Sequence, residues 1–395
     1  MYLSERMTKM TPSATSMLVG RIAEKRAAGA DIISFNAGEP DFPTPQPIVD
    51  ACCKAMRDGK TRYENVGGIL PLRQTICEKL MQDNGLHYKP AQICVSTGAK
   101  QALFNAVMAL CGNGDEVIIP SPCWVSYVEM VKLAGGVPVL VETNEDYSLN
   151  IDKIAAAVTS KTKLVLINTP NNPTGAVYTK EALQQLGQLA AKNDLFIISD
   201  EVYEKLVYGQ SCHISIASLD PAFYSRTVVI NGMSKAYSMT GWRIGYSAAS
   251  AELTKAMTGF QSHVSSNSTS FVQWAAITAL QECANAVETM RQEFERRRNY
   301  MLKRMNQIPG IHCQKPDGAF YLMPDISAYI GKRFGDLTID DSGALCKFLL
   351  EEGGIAVVPG DAFFMPNTIR FAYATSLELI KEGMDRLEHA LALLR

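Results

Sequence analysis

The chain has 395 residues, of which 47% are hydrophobic and 20% are charged, so it has the length for two domains and the composition of a folded protein rather than a disordered or fibrous one. Lysine and arginine total 38 against 40 aspartates and glutamates, a net charge of −2, which gives no reason to expect binding to nucleic acid or to an anionic membrane. No apolar run approaches the roughly 18 residues that a membrane-spanning helix needs, so small molecules are the expected partners.

The chain is predicted to begin with a helical segment. The first twenty residues hold no uninterrupted apolar stretch, so we expect no secretory signal. A helix is predicted over 16–28 and ends at Gly29, a residue type that tolerates the backbone conformation common at helix ends. This segment is too short to form a domain, and we expect it to pack on another one.

Short β-branched segments alternate with helical ones between residues 91 and 249. This alternation is typical of βα units around a largely parallel sheet, and it predicts one large α/β domain. The predicted strands are 92–96, 116–120, 163–168, 195–200 and 227–231, and the predicted helices are 98–110, 122–133 and 180–193.

The C-terminal part of the chain predicts a second, smaller α+β unit. A charged helix is predicted over 283–308, where Pro309-Gly310 ends it, and we expect it to connect two domains. Strands are predicted beyond it at 319–323, 355–359 and 369–374, and helices at 342–352 and 377–394. The predicted division is an N-terminal arm with part of the small domain over 1–47, a large domain over 48–290 and a small domain over 291–395.

Cysteine and histidine spacing gives no sign of a metal site. The ten cysteines include no Cys-x-x-Cys pair and lie mostly in apolar segments, which predicts buried free thiols in a reducing cytoplasm. The five histidines are far apart in the sequence, and no His-Glu-x-x-His motif occurs. We therefore expect no bound metal.

Polar residues directly follow three consecutive predicted strands of the large domain. Asn172 follows the third strand, Asp200 ends the fourth and is followed by Tyr203, and Ser234 and Lys235 follow the fifth. Ligands of open α/β sheets lie beyond the carboxyl ends of the strands, so an amide, a carboxylate, a phenol and an amine are predicted to converge. Taken singly, each of them is equally well explained as a turn or a helix cap.

The segment Ser96-Thr97-Gly98-Ala99-Lys100 joins a strand to a helix through small residues. Free backbone N–H groups at such a helix N-terminus form an anion cradle, although a simple tight turn at Gly98 is the alternative. Neither Gly-x-Gly-x-x-Gly nor a P-loop occurs, so a nucleotide is not indicated. A serine hydrolase is disfavoured because Ala236 stands where the motif Gly-x-Ser-x-Gly needs its last glycine.

One cofactor needs a lysine amine, a carboxylate, a phosphate cradle and an aromatic lid together, namely pyridoxal 5′-phosphate. Further motifs extend over nearly the whole chain: Pro12-Ser-Ala-Thr15, Ala37-Gly38-Glu-Pro-Asp-Phe, Pro122-x-Trp124-Val-Ser-Tyr, Asn172-Pro-x-Gly, Asp200-x-x-Tyr203, Ser234-Lys235-Ala-Tyr-Ser-Met-Thr-Gly-Trp-Arg243-Ile-Gly and Arg370-x-x-Tyr-Ala-Thr. With these motifs the chain resembles the fold-type I pyridoxal-phosphate enzymes, and more narrowly the class I aminotransferases of the bacterial gamma subgroup. The resemblance implies a large cofactor-binding domain with a mainly parallel sheet and a smaller α+β domain.

The resemblance also implies a role for each matching residue at the cofactor. Lys235 would hold the cofactor as a Schiff base and act as general base, and Asp200 would keep the pyridine nitrogen protonated. Tyr203 and Asn172 would bind the phenolic oxygen, and Trp124 would stack on the ring. The phosphate would be bound by Gly98, Ala99, Lys100, Ser234 and Arg243. Gly232 stands where many relatives have a hydroxyl, and Ser234 would supply a phosphate contact instead.

Substrate binding is implied at a second set of positions. Arg370 would bind the α-carboxylate in a bidentate manner with help from Gly38, Asn172 and Trp124. Ser13, Thr15 and Lys100 match the positions that contact the distal carboxylate of a dicarboxylic substrate. The resemblance therefore implies reversible ping-pong amino transfer between L-aspartate and 2-oxoglutarate, although Lys100 as an exposed helix lysine and Ser13 and Thr15 as helix caps are the plainer interpretations.

Three alternatives stay open at this point. Relatives with a similar threonine and lysine pair also accept prephenate, so a prephenate or aromatic amino acid aminotransferase is the first. A carbon–sulfur lyase on the same fold would keep Lys235 and Asp200. The fold also serves as the sensing domain of transcription regulators, but this chain has no basic patch for DNA.

A homodimer with shared active sites is implied by one residue. Tyr63, in the segment Lys60-Thr-Arg-Tyr63, matches the tyrosine that reaches the cofactor phosphate of the partner subunit in this family. The sequence by itself shows only a tyrosine before the turn Gly67-Gly68, so the dimer rests on the resemblance.

Overall fold

The computed structural model describes residues 4–8, 10–11 and 14–395, and of residues 5, 6 and 14–17 only the helical backbone. The helices are α1 (Glu5–Thr8), α2 (Ala14–Ala27), α3 (Gln46–Arg57), α4 (Leu70–Asn84), α5 (Ala99–Leu110), α6 (Val125–Leu133), α7 (Ile151–Ala156), α8 (Lys180–Lys192), α9 (Pro221–Tyr224), α10 (Ala251–Val264), α11 (Ser270–Glu282), α12 (Ala284–Met305), α13 (Ser342–Glu352) and α14 (Leu377–Ala392). The strands are β1 (Ile33–Ser34), β2 (Ile93–Ser96), β3 (Glu116–Ser121), β4 (Val137–Glu142), β5 (Thr162–Asn168), β6 (Phe196–Asp200), β7 (Thr227–Gly232), β8 (Gly245–Ala248), β9 (Tyr321–Leu322), β10 (Arg333–Phe334), β11 (Leu337–Thr338), β12 (Ile355–Ala356), β13 (Val358–Pro359) and β14 (Ile369–Ala372).

Seven strands form the central sheet in the order β2-β8-β7-β6-β5-β3-β4. The pairs β3-β4, β3-β5, β5-β6 and β6-β7 are parallel, and β8 is antiparallel to both of its neighbours. The predicted α/β fold with a mainly parallel sheet is therefore confirmed. Strand β8 escaped prediction because its four residues, Gly-Tyr-Ser-Ala, carry no β-branched side chain.

Helices cover both faces of the sheet, as the nearly continuous apolar strands require. Alternate residues of β7 point to opposite sides, so that Val228 and Ile230 pack with α5 and α6 while Val229 packs into the larger cluster on the other side. Ile197 of β6 and Leu186 of α8 belong to a third apolar cluster. Apolar clusters therefore cover both faces of the sheet, and the polar residues lie at the carboxyl ends of its strands.

A smaller sheet, β13-β14-β9, is antiparallel and packs with α12 and α13, while α14 packs on these two helices and on β12. The N-terminal segment joins this unit, since β1 pairs with β12 in parallel and Ile33 is in register with Ile355. The strand predicted over 355–359 is divided at Val357 into β12 and β13. None of the helices in the described ranges combines the length and the apolar character of a membrane span.

Helix α12 is more buried than its many charged residues suggest. It begins at Ala284, since Cys283 (φ −102°, ψ 17°) separates it from α11. Arg298 is buried, donates from Nη1 to the carbonyl oxygen of Pro316 at 2.9 Å and stacks 4.7 Å from the ring centre of Tyr208. The long apolar stems of such arginines pack in the interior while their guanidinium groups find acceptors.

All ten cysteines are free thiols, as the sequence predicts. Their predicted burial is only partly right, because Cys212 is exposed in the loop after β6 and Cys53, Cys77 and Cys346 are partly exposed.

Candidate active site

A cavity of about 410 Å³ opens at the carboxyl edge of the central sheet. The strand ends meet there, since Asn168 at the end of β5 is in register with Asp200 at the end of β6. The predicted residues that line the cavity are Gly38, Ala99, Lys100, Trp124, Asn172, Asp200, Tyr203, Ser234, Lys235, Arg243 and Arg370.

Asp200 places a buried carboxylate at the base of the cavity. The Tyr127 hydroxyl donates to its Oδ2 at 2.7 Å, and the Val202 backbone N–H donates to its Oδ1 at 3.3 Å. Burial raises the pKa of Asp200 to about 6, although these two donors act in the opposite direction. A carboxylate in this state is well suited to hold the proton of a cationic ring nitrogen.

Lys235 brings an amine to the same cavity. Its Nζ donates to the backbone carbonyl oxygen of Gly38 at 2.5 Å and lies 5.8 Å from the ring centres of Tyr203 and Phe320. Burial lowers the pKa of Lys235 to about 8, and the positive charge of Arg370 lowers it further. A large fraction of the amine is therefore neutral near pH 8, as a nucleophile or a general base requires.

Arg370, on β14, is a buried cation with polar and aromatic partners. Its Nη1 donates to Oδ1 of Asn172 at 2.9 Å and its Nη2 to the backbone oxygen of Asn36 at 3.0 Å. The guanidinium lies 4.4 Å from the ring centre of Tyr321 and 4.6 Å from that of Phe363. Within the part of the chain that the structure describes, its Nε has no acceptor. A buried donor without an acceptor indicates that a ligand oxygen completes this site.

The anion cradle forms where α5 meets the sheet. Gly98 is the residue before α5 and has φ +82°, and a Cβ there would lie 2.5 Å from Nη2 of Arg243. Gly245, at the start of β8, must also lack a side chain, because a Cβ would lie 2.3 Å from the backbone nitrogen of Ala99. The two glycines let the helix N-terminus and a guanidinium approach one point, which suits a phosphate.

An aromatic wall and a second lysine form the mouth of the cavity. Trp124 is partly buried, and its ring packs edge-on against Tyr127 at 5.4 Å. Lys100 is exposed, and its Nζ lies 4.6 Å above the Trp124 ring. Although the residue as a whole is exposed, partial desolvation of its amine and the nearby charge of Arg243 lower the pKa of Lys100. A bound anion would relieve the repulsion between these two cations.

The remaining predicted residues lie outside the cavity or outside the described residues. Ser13 is not among the described residues, and only the helical backbone of Thr15 is described. Tyr63 lies away from the cavity of its own chain, with 90% of its surface exposed.

Sequence reasoning missed two tyrosines of the site. Tyr127 follows Trp124 by three residues in the first turn of α6, a spacing that places both side chains on one face and could have revealed it. Tyr321 lies on β9 of the smaller unit, and its hydroxyl is 2.8 Å from that of Tyr203. Nothing in the local sequence indicates this contact, because it depends on how the two units pack.

A buried polar group includes the residue that follows Asp200 in the chain. Among the described residues, Glu201, Glu204 and His213 place possible metal-ligand atoms within 4.8 Å of one another. Glu204 is already paired with the buried ammonium of Lys79 and accepts from Asn84 at 3.0 Å, and Glu201 lies 3.1 Å from the His213 ring. Since Lys79 supplies the positive charge, we interpret this group as a structural ion network.

Glu204→Gln should therefore destabilise the fold, because it removes the nearest carboxylate from the buried Lys79 ammonium and leaves only the more distant Asp83, whose Oδ2 lies 3.5 Å away, at a cost of about 3 kcal/mol. Lys79 lowers the pKa of Glu204 to about 2 against its burial, so the contribution is present above pH 4.5 and is lost as the pH falls toward 2. Urea unfolding at pH 7 and at lower pH measures both effects. Glu288→Gln breaks an exposed pair with Arg291 and serves as the control. A loss at pH 7 no larger than that of the control contradicts this account.

Comparison with known proteins agrees with the geometry. Residues 30–387 match the family described as aminotransferase class I and II. The chain belongs to the class I and II aminotransferases. It is 46% identical over 390 residues, 98% of each chain, to the aspartate aminotransferase of Bacillus subtilis, and 44% identical over 391 residues, again 98% of each, to the aspartate/prephenate aminotransferase of Cereibacter sphaeroides. The crystal structure of the aspartate aminotransferase from Rhizobium meliloti has a TM-score of 0.96 and 37% identity, with complete coverage of both chains.

Aminotransferases of this family depend on pyridoxal 5′-phosphate, and the described residues fit that cofactor. Because Gly98 has no side chain, the Arg243 guanidinium lies directly beside the N-terminus of α5, and the two together suit a phosphate. Asp200 offers a buried carboxylate, and Lys235 an amine with lowered pKa, in the same cavity. The family confirms the predicted cofactor. The carboxylate, the amine and the phosphate cradle of this chain are the groups that it needs.

Proposed function

We propose that the protein is an aspartate aminotransferase, which transfers the amino group reversibly between L-aspartate and 2-oxoglutarate in a ping-pong reaction. The observation that carries the proposal is the position of the Lys235 amine, with its pKa near 8, in one cavity with Asp200 and Arg370. Relatives named aspartate aminotransferase that match almost the whole chain support the choice of substrate.

Pyridoxal 5′-phosphate supplies an electron sink when it is bound. Asp200 would hold the proton on its ring nitrogen, Tyr203 and Asn172 would bind its phenolic oxygen, and Trp124 would cover its ring. Gly98, the backbone N–H groups of Ala99 and Lys100, Ser234 and Arg243 would hold its phosphate, which leaves the Lys100 ammonium free for the substrate.

Lys235 would move the proton that the reaction requires. Its Nζ, once free and neutral, would take the proton from Cα of the amino acid and deliver it to C4′ of the cofactor, and it would move a proton in the opposite direction when the oxo acid is aminated. Arg370 would bind the substrate α-carboxylate through its guanidinium group, whose Nε has no acceptor among the described residues, with Asn172 and the backbone N–H of Gly38 as further donors. This clamp would orient the Cα–H bond toward Lys235.

Specificity for a dicarboxylic substrate would depend on Lys100, with Ser13 and Thr15. Lys100→Ala should lower kcat/KM for aspartate by about two orders of magnitude, since an unpaired carboxylate in a partly dry pocket costs about 2–4 kcal/mol. The kcat/KM for phenylalanine should change little, because that substrate carries no distal charge. Ser13→Ala and Thr15→Ala should act in the same direction by about 1 kcal/mol each. An equal loss for both substrates would instead place Lys100 in the phosphate cradle.

Prephenate is the second candidate acceptor, since the Cereibacter sphaeroides relative is named an aspartate/prephenate aminotransferase. A panel of kcat/KM values with glutamate as donor and oxaloacetate, prephenate or phenylpyruvate as acceptor separates the candidates. The proposal expects oxaloacetate to be the best acceptor. Cystathionine tests for a carbon–sulfur lyase, which would release pyruvate and ammonia.

The protein is further proposed to be a homodimer with shared active sites. This is supported by Tyr63, whose ring is 90% exposed and lies outside the cavity of its own chain. Lys235→Ala and Tyr63→Phe, each weakly active alone, should regain activity when mixed under subunit exchange, because some heterodimers then contain one intact site. Activity that equals the sum of the two parents, or a fully active monomer by light scattering, would contradict shared sites.

A location in the cytoplasm is also part of the proposal. It is supported by the ten cysteines, which form no disulfide although four of them are at least partly exposed. Cell fractionation with immunodetection tests it directly.

A further inference from the structure

We propose that Arg297 of α12 is a positioning residue for substrate binding, because its ion pair with Asp41 holds in place the segment that carries Gly38. The proposal rests on the function described above, in which the backbone N–H of Gly38 binds the substrate α-carboxylate. Arg297 would touch neither substrate nor cofactor. It would act only through the segment 36–44, which lies between β1 and α3.

The segment 36–44 has no regular structure to hold it. It belongs to no helix or strand, and within the described residues none of its backbone groups is hydrogen-bonded to another backbone group. Pro40 and Pro43 have no N–H group to donate. The path of the segment is therefore set by contacts that involve side chains.

Arg297 supplies an ionic and a stacking contact to this segment. Its side chain is 6% exposed, and its Nη1 donates to Oδ1 of Asp41 at 2.7 Å. The guanidinium is oriented by Glu293, which accepts from Nε at 2.9 Å, and it lies 4.8 Å from the ring centre of Phe42. The Phe42 ring packs edge-on against Phe294, with the ring centres 5.3 Å apart. Two adjacent residues of the segment are thus fixed to one helix.

The first residues of the segment lie in the cavity. The backbone oxygen of Asn36 accepts from Nη2 of Arg370 at 3.0 Å, and that of Gly38 accepts from Nζ of Lys235 at 2.5 Å. Gly38 precedes Asp41 by three residues, so at most about 11 Å of chain separates the anchored carboxylate from the group that faces the substrate. A shift of Asp41 would therefore displace Gly38.

Other contacts of the segment do not involve α12. The hydroxyl of Thr240 donates to Oε2 of Glu39 at 2.9 Å, and the hydroxyl of Thr44 donates to the backbone oxygen of Ser238 at 2.6 Å. These contacts should keep the segment attached to the large unit when Arg297 is replaced. We therefore expect a local change in position at the cavity rather than a loss of the fold.

Loss of the link should weaken substrate binding without slowing the chemical step. The α-carboxylate takes no part in the bond changes, so a misplaced Gly38 N–H should weaken the ground state and the transition state equally, which raises KM and leaves kcat nearly unchanged. Every amino acid substrate has an α-carboxylate, so the KM values for aspartate and phenylalanine should rise by the same factor. This distinguishes the role of Arg297 from that of Lys100, which concerns aspartate alone.

The test compares the kinetics of the holoenzyme with its affinity for maleate, an inert dicarboxylate, by calorimetry. Arg297→Met keeps an unbranched stem and removes the guanidinium. It should raise both KM values and the Kd of maleate by about 10-fold, as expected for one charge-assisted hydrogen bond, with kcat within about 2-fold of the wild type. Arg297→Lys should bring these values back to within about 3-fold of the wild type, because an ammonium can still pair with Asp41.

Arg296→Met is the matched control. Arg296 is the adjacent arginine and pairs with the same Glu293, since its Nε donates to Oε2 at 2.7 Å, but it makes no contact with the segment 36–44. This variant should leave KM, kcat and the Kd of maleate unchanged. An increase in KM equal to that of Arg297→Met would overturn the proposal.

Asp41→Ala tests whether Arg297 acts through the segment. The Asp41 side chain is 29% exposed, so this variant carries the test even if Arg297→Met does not fold. It should also raise both KM values, and the double variant Arg297→Met/Asp41→Ala should match Arg297→Met, because both changes break the same link. Additive increases, an unchanged KM in Asp41→Ala, or an increase for aspartate alone would overturn the proposal. A wild-type holoenzyme that does not transaminate aspartate would refute the proposed function instead.

Discussion

Lys235→Ala should lower kcat for transamination by about 10⁴-fold or more, because it removes the amine that we propose as both the nucleophile that holds the cofactor and the base that moves the substrate proton. The variant should still fold, since it removes the hydrogen bond from the Lys235 amine to the Gly38 carbonyl oxygen and truncates a side chain that lines the cavity. Steady-state kinetics measure the loss, and circular dichroism checks the fold.

A matched control is Lys205→Ala. Lys205 follows β6, as Lys235 follows β7, but it pairs with Asp83 outside the site. This variant should keep most of the wild-type kcat. Borohydride reduction of the wild-type holoenzyme should fix the cofactor on the peptide that contains Lys235. Recovery of the label on a different lysine would contradict the assignment.

Asp200→Asn should lower kcat by about 150-fold or more, equivalent to about 3 kcal/mol of transition-state stabilisation, because an amide cannot hold the positive charge on the ring nitrogen. The hydrogen bond from Tyr127 should persist, since the amide oxygen can accept it. The control is Asp194→Asn, at an exposed position where the carboxylate lies 3.3 Å from Nη1 of Arg226, and it should leave kcat unchanged. A variant that retains most of its kcat would reduce Asp200 to a structural role.

The same substitution should have the opposite effect on stability. Burial raises the pKa of Asp200 from 3.8 to about 6 in the cofactor-free protein, so its contribution to stability is present below pH 3.8 and is lost as the pH rises through 6. At pH 8, cofactor-free Asp200→Asn should unfold at a higher urea concentration than the wild type. Such a trade between stability and activity is characteristic of groups held in place for catalysis.

The convergence of the strand-end residues in one cavity can be predicted from the sequence, because it depends on local features. Asn172, Asp200 and Lys235 each follow a strand with a strong β-branched signal, and parallel strands bring their carboxyl ends to one edge by topology alone. The cradle at Gly98 is equally local, since a strand, a glycine and a helix occur in succession.

The parts that escaped prediction depend on packing between distant segments. Tyr321 meets Tyr203 across 118 residues of sequence, and Gly245 is required by the approach of Ala99 from another element. The buried state of Arg298 likewise depends on acceptors outside its own helix. Periodicity and turn signals carry no information on such contacts, so only a three-dimensional structure reveals them.

A half-reaction experiment tests the central claim most directly. Purified holoenzyme is mixed with L-aspartate in the absence of any oxo acid, and oxaloacetate is measured per active site. We predict one oxaloacetate per site with a change in visible absorbance, no free ammonia, and then one glutamate per site with recovery of the absorbance when 2-oxoglutarate is added. Release of ammonia with more than one oxo acid per site, or no reaction with aspartate while another amino acid reacts, would contradict the account.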